Sequence, residues 1–173
     1  MSTGTTVSTT TQVYRVYIKT TPEAIWQAIT DPTWTVRYGY GGYVDYDLRP
    51  GGHLRVAPDE EFVEASRQMG HELPDNVIEG EVLEVDPPRK LVTTWRMLMD
   101  AGLAAEELTR LTYEIKQHDD GVCSLTVVHD LDGAPLHAAL VGGEAEDGGG
   151  GGGHAWVLSD LKSLLETGSR MAG

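Results

Sequence analysis

Cysteine, basic residues and long apolar segments are all scarce in this sequence of 173 residues. The one cysteine, Cys123, can form no internal disulfide, which favours a reducing cytoplasm, and without an activating motif around it we interpret it as a small apolar strand residue. Thirteen Lys and Arg against 27 Asp and Glu give a net charge of −14, which repels phosphate backbones and anionic lipid surfaces. We therefore expect no nucleic acid and no membrane as partners, and no segment approaches the roughly 20 apolar residues that span a bilayer.

Motifs that bind metals or phosphates, or that activate a nucleophile, are also missing. The glycine run at 148–153 is not followed by Gly-Lys-Ser/Thr, and no Gly-X-Ser-X-Gly elbow occurs. The histidines are scattered, and the segment 129–132 with His137 beyond it lacks the spacing of a coordination sphere. We expect no metal and no cofactor. Acid pairs such as Glu106 and Glu107 are interpreted as solvated surface.

The length and the hydrophobic content of 40% suit one domain with a proper core. Residues 1–11 are mostly Ser, Thr and Gly, without the basic start or apolar centre of a secretion signal, and predict a disordered tail. The single domain is predicted over 12–168, with a short C-terminal tail at 169–173.

Most of the domain has the period-two alternation of β-strands, bounded by glycine and proline turns. One face of the resulting sheet is expected to be buried and the other wet. The apolar phase shifts between Val82 and Leu83, which predicts a β-bulge that would help the sheet to curl. The predicted strands are 12–19, 43–48, 53–56, 77–85, 90–98, 109–117 and 122–130.

Helices are predicted at two places. Thr21 followed by Pro22 supplies an N-cap and a first-turn proline, and Asp31 with Pro32 repeats this start, so two short helices follow the first strand and end near residues 29 and 38. The segment 154–168 has one apolar face and ends at Gly168, which predicts a long helix. Residues 58–74 form a polar insertion with about two helical turns, in the position of a rim, a lid or a dimer contact.

Four separated segments resemble one known family, in the right order along the chain. They are VYRVYIKTTPEAIWQAITDP at 13–32, LRPGG at 48–52, GEVLEVDPP at 80–88 and WVLSDLKSLLETG at 156–168. They are similar to the bacterial Hsp90-ATPase-activator-like (AHSA1-type) branch of the SRPBCC, or START/Bet v 1-like, superfamily. The resemblance implies an α+β helix-grip fold, in which a curved antiparallel sheet wraps around the long C-terminal helix. It also implies a cavity for hydrophobic small molecules, and it transfers no catalytic motif.

Aromatic residues with polar tips are the candidate ligand contacts. Trp95, Tyr113 and His129 share the inward phase of three strands and are expected to face one cavity. The same side chains would also suit ordinary core packing. Further candidates are Trp34, Tyr38 and Tyr40 at the expected entrance, which would either line or seal it, and Trp156 on the first turn of the last helix.

Three functions remain open from the sequence. The first is binding of a hydrophobic or aromatic small molecule between the sheet and the last helix. The second is an enzyme of the polyketide cyclase or aromatase kind, as other members of the superfamily are, with His129 as the acid or base. The third is a protein-interaction module of the chaperone-activator kind. A homodimer is compatible with all three.

Overall fold

The computed structural model of the protein describes residues 10–144, 146–148 and 151–171. Seven strands form one antiparallel sheet in the spatial order β1-β7-β6-β5-β4-β3-β2. The predicted N-terminal tail lies outside these residues except for its last two, and Thr11 already begins the first strand. The strands are β1 (Thr11–Lys19), β2 (Gly42–Tyr46), β3 (His53–Pro58), β4 (Ile78–Asp86), β5 (Lys90–Met97), β6 (Thr109–Gln117) and β7 (Val122–Asp130).

The predicted irregularity in β4 is confirmed. The pairing of β4 with β5 shifts register between Val82 and Glu84, at the point where the apolar phase of the sequence changes. The extra residue increases the local twist and allows the sheet to curl. Since β1 and β2 lie at opposite ends of the strand order, this curl gives the sheet a concave inner face.

In the described residues six α-helices interrupt or cover the sheet: α1 (Pro22–Thr30), α2 (Pro32–Thr35), α3 (Glu60–Gln68), α4 (Ala101–Ala104), α5 (Pro135–Val141) and α6 (Gly153–Thr167). The caps predicted for the first two helices are present, because the Thr21 and Asp31 side chains accept hydrogen bonds from the backbone N–H groups of Ala24 and Thr33. The second helix is shorter than predicted, and α4 and α5 were not predicted. Within the described ranges no helix is long and apolar enough to cross a bilayer.

The last helix packs against the concave face and completes the core. Leu158, Leu161 and Leu164 of α6 join a buried cluster with Ile18 of β1 and Leu125 of β7. The helix ends where the sequence predicts, since Gly168 has the left-handed conformation (φ 83°) and its N–H donates to the carbonyl of Leu164.

A buried carboxylate fixes α6 to the segment after α2. Asp160 is completely buried, and it accepts hydrogen bonds from the backbone N–H of Gly39 (2.8 Å) and of Met171 (2.6 Å). The guanidinium of Arg170 lies 3.0 Å from the same carboxylate. Residues 170 and 171, which the sequence assigns to a tail, therefore contact the folded domain, while the domain boundary itself stays a prediction.

The polar insertion contains the predicted helical turns. Asp59 caps α3 by accepting from the N–H of Phe62 at 2.8 Å. No residue of α3 is fully buried, so this helix adds little to the core and lies at the edge of the domain.

Candidate functional site

Two groups of polar side chains lie inside the fold, at different positions along the concave face. We name the first the histidine cluster, made of Trp95, Thr109, His129 and His154. We name the second the tyrosine cluster, made of Tyr38, Tyr46 and Tyr113. Apolar residues such as Leu111, which separates Thr109 from Tyr113 on the inner side of β6, form the wall between the two clusters.

Hydrogen bonds in the histidine cluster run in one direction. The Thr109 hydroxyl donates to the carbonyl of Trp95 (2.7 Å), so its oxygen can only accept from His129 Nε2, which lies 2.7 Å away. Neutral His129 then carries its proton on Nε2, and its Nδ1 accepts from His154 Nε2 at 2.9 Å. His154 Nδ1 is left as a lone-pair acceptor. The predicted acid or base, His129, has both ring nitrogens occupied.

Burial keeps both histidines neutral. Desolvation, reinforced by His154 and then by His137, lowers the pKa of His129 from 6.5 to about 2. Desolvation lowers the pKa of His154 from 6.5 to about 4. At neutral pH the two rings therefore act as hydrogen-bonding groups without charge.

Aromatic rings surround the pair. The rings of Trp95 and His129 are nearly perpendicular, with 5.0 Å between their centroids, and the Trp95 ring lies 6.5 Å from that of His154. Tyr14 of β1 lies 5.4 Å from His154 on another side. The Tyr14 hydroxyl donates to Gln12 Oε1, so its proton is committed within the protein.

A third histidine braces this end of the sheet. His137 on α5 is completely buried; its Nε2 accepts from the backbone N–H of Met97 (2.8 Å), and its Nδ1 lies 2.7 Å from Glu106. Burial raises the pKa of the Glu106 carboxyl, but hydrogen bonds from His137 and from the backbone N–H groups of Leu136 and His137 outweigh it, so that pKa is lowered. Glu106, which the sequence assigns to solvated surface, is thus a structural partner of a buried ring.

The tyrosine cluster contains two hydroxyl groups without a hydrogen-bond partner among the described residues. Desolvation raises the pKa of Tyr113 to about 12, and desolvation with the neighbouring Tyr113 and Tyr38 raises that of Tyr46 well above 10. Neither side chain is fully covered, and within the described part of the chain neither hydroxyl makes a hydrogen bond. Deep position, residual accessible surface and free hydroxyls are together typical of side chains that line an internal space.

A third polar group in the same wall is free. Thr93 on β5 is completely buried, and its hydroxyl has no hydrogen-bond partner among the described residues. It pairs with Val82 on one side and with Leu111 on the other. Both of these neighbours across the sheet are apolar.

The predicted entrance residues do not act alike. Tyr38 is buried and donates its hydroxyl to the carbonyl of Ala28 (2.9 Å), which seals the interior at that point. Trp34 packs partly against the core with the Arg37 guanidinium 4.6 Å above its ring. Tyr40 is 47% exposed, and its hydroxyl accepts from the N–H of Gly153. Trp156 is half-buried outside both core clusters.

His154 and Tyr46 are among the interior polar groups that the sequence did not single out. The signal for His154 was available, because it stands four residues before Leu158 and seven before Leu161 on the apolar face of α6. Tyr46 follows Val44 in the inward phase of β2. As expected from the sequence, Cys123 lies in a strand; it is buried, and its thiol donates to the carbonyl of Thr20.

The described residues also form two open cavities. The larger, about 530 Å³, lies on the outer face of the sheet and is lined mainly by charged and polar side chains, including Arg15, Lys116 and Glu114. The smaller, about 280 Å³, lies between Tyr40 and the start of α3. No group of three or more His, Cys, Asp or Glu residues within the described ranges is arranged to hold a metal ion.

Known proteins share this architecture. An Hsp90 activator from Plasmodium falciparum superposes with a TM-score of 0.61 at 18% identity, over 90% of this chain and 96% of that chain. CalU16 from Micromonospora echinospora gives 0.59 at 17% identity, over 94% and 69%. The Aha1 dimer from Colwellia psychrerythraea gives 0.59 at 14% identity, over 91% and 97%. No curated protein matches the sequence.

These identities support the fold alone, and the fold is the one implied by the sequence resemblance: a curled antiparallel sheet with a long C-terminal helix, the helix-grip arrangement. The family evidence comes from residues 19–166, which match the family described as Activator of Hsp90 ATPase homolog 1-like protein. The chain belongs to this Hsp90-activator-like family.

Proposed function

We propose that the protein binds an apolar, ring-containing small molecule in the space between the concave face of the sheet and α6. The observation that carries this proposal is the pair of phenol hydroxyls on Tyr46 and Tyr113, which have no hydrogen-bond partner in the part of the chain that the structure describes. A polar group inside a protein that lacks a partner costs about 1–3 kcal/mol, so hydroxyls in this state are suited to a ligand or to water.

The surrounding wall supplies affinity. Leu111, Ile115 and Val127 line the sheet beside Tyr113, and Val157 and Leu158 face them from α6. Covering a ring against such a wall yields about 25 cal/mol per Å² of apolar area removed from water. Two phenol donors then favour a ligand with a carbonyl or ether oxygen at that end, because tyrosine hydroxyls can donate to it.

Fluorescence titration with the neutral probe N-phenyl-1-naphthylamine tests the proposal. We expect a saturable increase in emission, and competition by fluorenone that is about fivefold stronger than competition by fluorene, since one net hydrogen bond contributes about 1 kcal/mol. In Tyr113→Phe the probe should still bind, while the preference for fluorenone should fall.

Two substitutions of neighbouring residues on β3, Arg55→Trp and Val56→Trp, test where the probe binds. Val56 pairs with Val44 and Ile78 in the inward phase, whereas Arg55 is exposed. Val56→Trp should weaken probe binding, and Arg55→Trp should leave it unchanged. Absence of saturable binding in the wild type would overturn the proposal, and equal effects of the two variants would place the probe outside the fold.

An enzyme of the cyclase or aromatase kind is the second candidate, and the hydrogen-bonded row of His154, His129 and Thr109 favours it. In that case His154, and not His129, presents a free nitrogen to the substrate. His154→Ala should then abolish turnover of a candidate polyketide substrate, and His129→Ala should lower the rate by removing the partner that orients His154. An unchanged rate would remove this assignment.

We further propose that the small molecule is the principal partner of a cytoplasmic protein that needs no cofactor. The dimeric Aha1 relative supports a homodimer, and the Plasmodium Hsp90 activator supports a chaperone contact. Sedimentation analysis and a pull-down with purified Hsp90 separate these two possibilities from ligand binding by a monomer.

A further inference from the structure

We infer that His154 is a ligand-binding residue whose Nδ1 accepts a hydrogen bond from a hydroxyl group of the bound molecule, so that the site selects phenols or enols over their O-methyl ethers. This inference rests on the proposed function, because it assigns a role to one end of the proposed binding site. It adds a named contact, a direction for its hydrogen bond and a chemical class of ligand.

The direction follows from counting protons in the histidine cluster. The single hydroxyl proton of Thr109 lies between its oxygen and the Trp95 carbonyl at 2.7 Å. His129 Nε2 must therefore donate to Thr109, and His129 Nδ1 must accept from His154 Nε2. A neutral imidazole has one N–H, so His154 Nδ1 carries only a lone pair.

This lone pair is free within the described part of the chain. His154 makes one hydrogen bond there, through Nε2, and its side chain is half-buried. His154 as a residue is not fully covered and keeps some accessible surface. An acceptor that is deep, oriented and still reachable is suited to a hydrogen-bond donor on a small molecule.

The groups around the ring match a neutral ligand with an aromatic body. Trp95, Tyr14 and His129 lie within 6.5 Å of it, ring centre to ring centre. Neither Trp95 nor Tyr14 brings a positive charge, and the Tyr14 proton is already donated to Gln12. A carboxylate placed here would face a lone pair with no cation to stabilise it, and a methyl ether would leave Nδ1 unpaired.

Thr109 acts as a positioning residue in this scheme. It touches no ligand, but it fixes the proton of His129 on Nε2 and, through it, the proton of His154 on Nε2. In Thr109→Val the acceptor for His129 is lost, so His129 can carry its proton on Nδ1 instead. That tautomer would donate to His154 and move the proton of His154 to Nδ1, which turns the acceptor into a donor.

Competition by 2-naphthol and 2-methoxynaphthalene against N-phenyl-1-naphthylamine measures the selection directly. The two probes share one ring system and differ by a methyl group on the oxygen. We expect the wild type to bind 2-naphthol about tenfold more tightly, because only the hydroxyl can donate to His154. In His154→Phe this preference should vanish or reverse in favour of the more apolar ether, whereas the exposed-residue control His71→Phe should retain it.

A second measurement needs no variant. In uniformly ¹⁵N-labelled wild type, the imidazole shifts and couplings should show His154 with a protonated Nε2 and an unprotonated Nδ1, and addition of 2-naphthol should shift the Nδ1 signal. Thr109→Val should change the tautomer and reduce the preference for naphthol. A wild type that binds both naphthalenes equally, or a His154 protonated on Nδ1, would overturn the inference while leaving the proposed function intact. Failure of both naphthalenes and of the fluorescent probe to bind would instead overturn the proposed function.

Discussion

His154 on the first turn of α6 is hydrogen-bonded to His129 on β7, with 2.9 Å between Nε2 of the first and Nδ1 of the second. This bond joins the last helix to the last strand, where Tyr14 packs beside His154 and Trp95 packs beside His129. The orientation of the helix and the chemistry of the proposed site therefore depend on the same pair of rings. A low pH should therefore affect both the orientation of α6 and the chemistry of the proposed site.

Stability should fall with acid because of these histidines. The unfolded chain binds protons at both rings below about pH 6.5, whereas the folded chain does so only near pH 4 for His154 and pH 2 for His129. The stabilising contribution is thus complete above pH 6.5 and is lost as the pH falls. The wild type should lose unfolding free energy between pH 7 and pH 5, and in His154→Gln this loss should be smaller by about 2 kcal/mol. Urea denaturation at pH 7 and at pH 5 measures the loss in each protein.

His154→Gln retains an N–H donor for His129, so this variant removes a titrating group with little change in packing. His71→Gln, at an exposed position, should keep the pH dependence of the wild type. Two further groups influence the pKa values in this region: Glu144 raises that of Tyr14, and His137 lowers that of His129. Both groups are left unchanged in every variant. A His154→Gln protein with the full acid sensitivity of the wild type would contradict this assignment.

Removal of the buried carboxylate on α6 should be costly. Asp160→Ala would leave the N–H groups of Gly39 and Met171 and the Arg170 guanidinium without their common acceptor. We expect a loss of about 3 kcal/mol in unfolding free energy. Asp160→Asn should lose less, since one amide oxygen can still accept. Thermal denaturation of the two variants beside the exposed Ser159→Ala checks the order, and equal stabilities would exclude the carboxylate as an anchor.

The free hydroxyl of Thr93 allows a stabilising substitution. Thr93→Val keeps the shape of a buried side chain that makes no hydrogen bond among the described residues, so ligand-free protein should gain about 1 kcal/mol in unfolding free energy. Thr109→Val removes a hydroxyl that is bonded on both sides, so it should lose stability. Chemical denaturation compares the pair. A destabilised Thr93→Val would show that this hydroxyl has a partner, such as a bound water.

The two adjacent glutamates before β6 should differ sharply. Glu106 accepts hydrogen bonds from the buried His137 ring and from two backbone N–H groups at the start of α5. Glu106→Ala should therefore cost about 2 kcal/mol. Glu107 is exposed, and Glu107→Ala should stay within about 0.5 kcal/mol of the wild type. Thermal denaturation of both variants measures this difference. Similar effects of the two substitutions would contradict a structural role for Glu106.

The strands could be predicted from the sequence because their signal is local. Alternation of side chains fixed β6 and β7 at their observed bounds, and the change of phase after Val82 located the bulge. The caps at Thr21 and Asp31 are equally local, since each side chain binds a backbone N–H within three residues. The short helices α4 and α5 escaped prediction because four and seven residues give too little periodicity, and α5 has no side-chain cap.

The candidate site was harder to predict than the strands, because its contacts join residues that are far apart in the sequence. The bond between His129 and His154 spans 25 positions, and that between Glu106 and His137 spans 31. No local pattern marks which of two adjacent glutamates will meet a buried ring. Trp95 and Tyr113 could be placed on the inner face from alternation, and both pack against the core. The sequence could not predict that the hydroxyls of Thr93, Tyr46 and Tyr113 lack hydrogen-bond partners among the described residues, because this depends on the three-dimensional structure around them.

Native mass spectrometry of the protein isolated from its own host under non-denaturing conditions is the most direct test of a small molecule inside this fold. We predict the mass of the chain plus one small organic molecule that is released on unfolding, and uptake of one N-phenyl-1-naphthylamine when the isolated protein is incubated with it. The mass of the bare chain both before and after that incubation would contradict a ligand-binding interior.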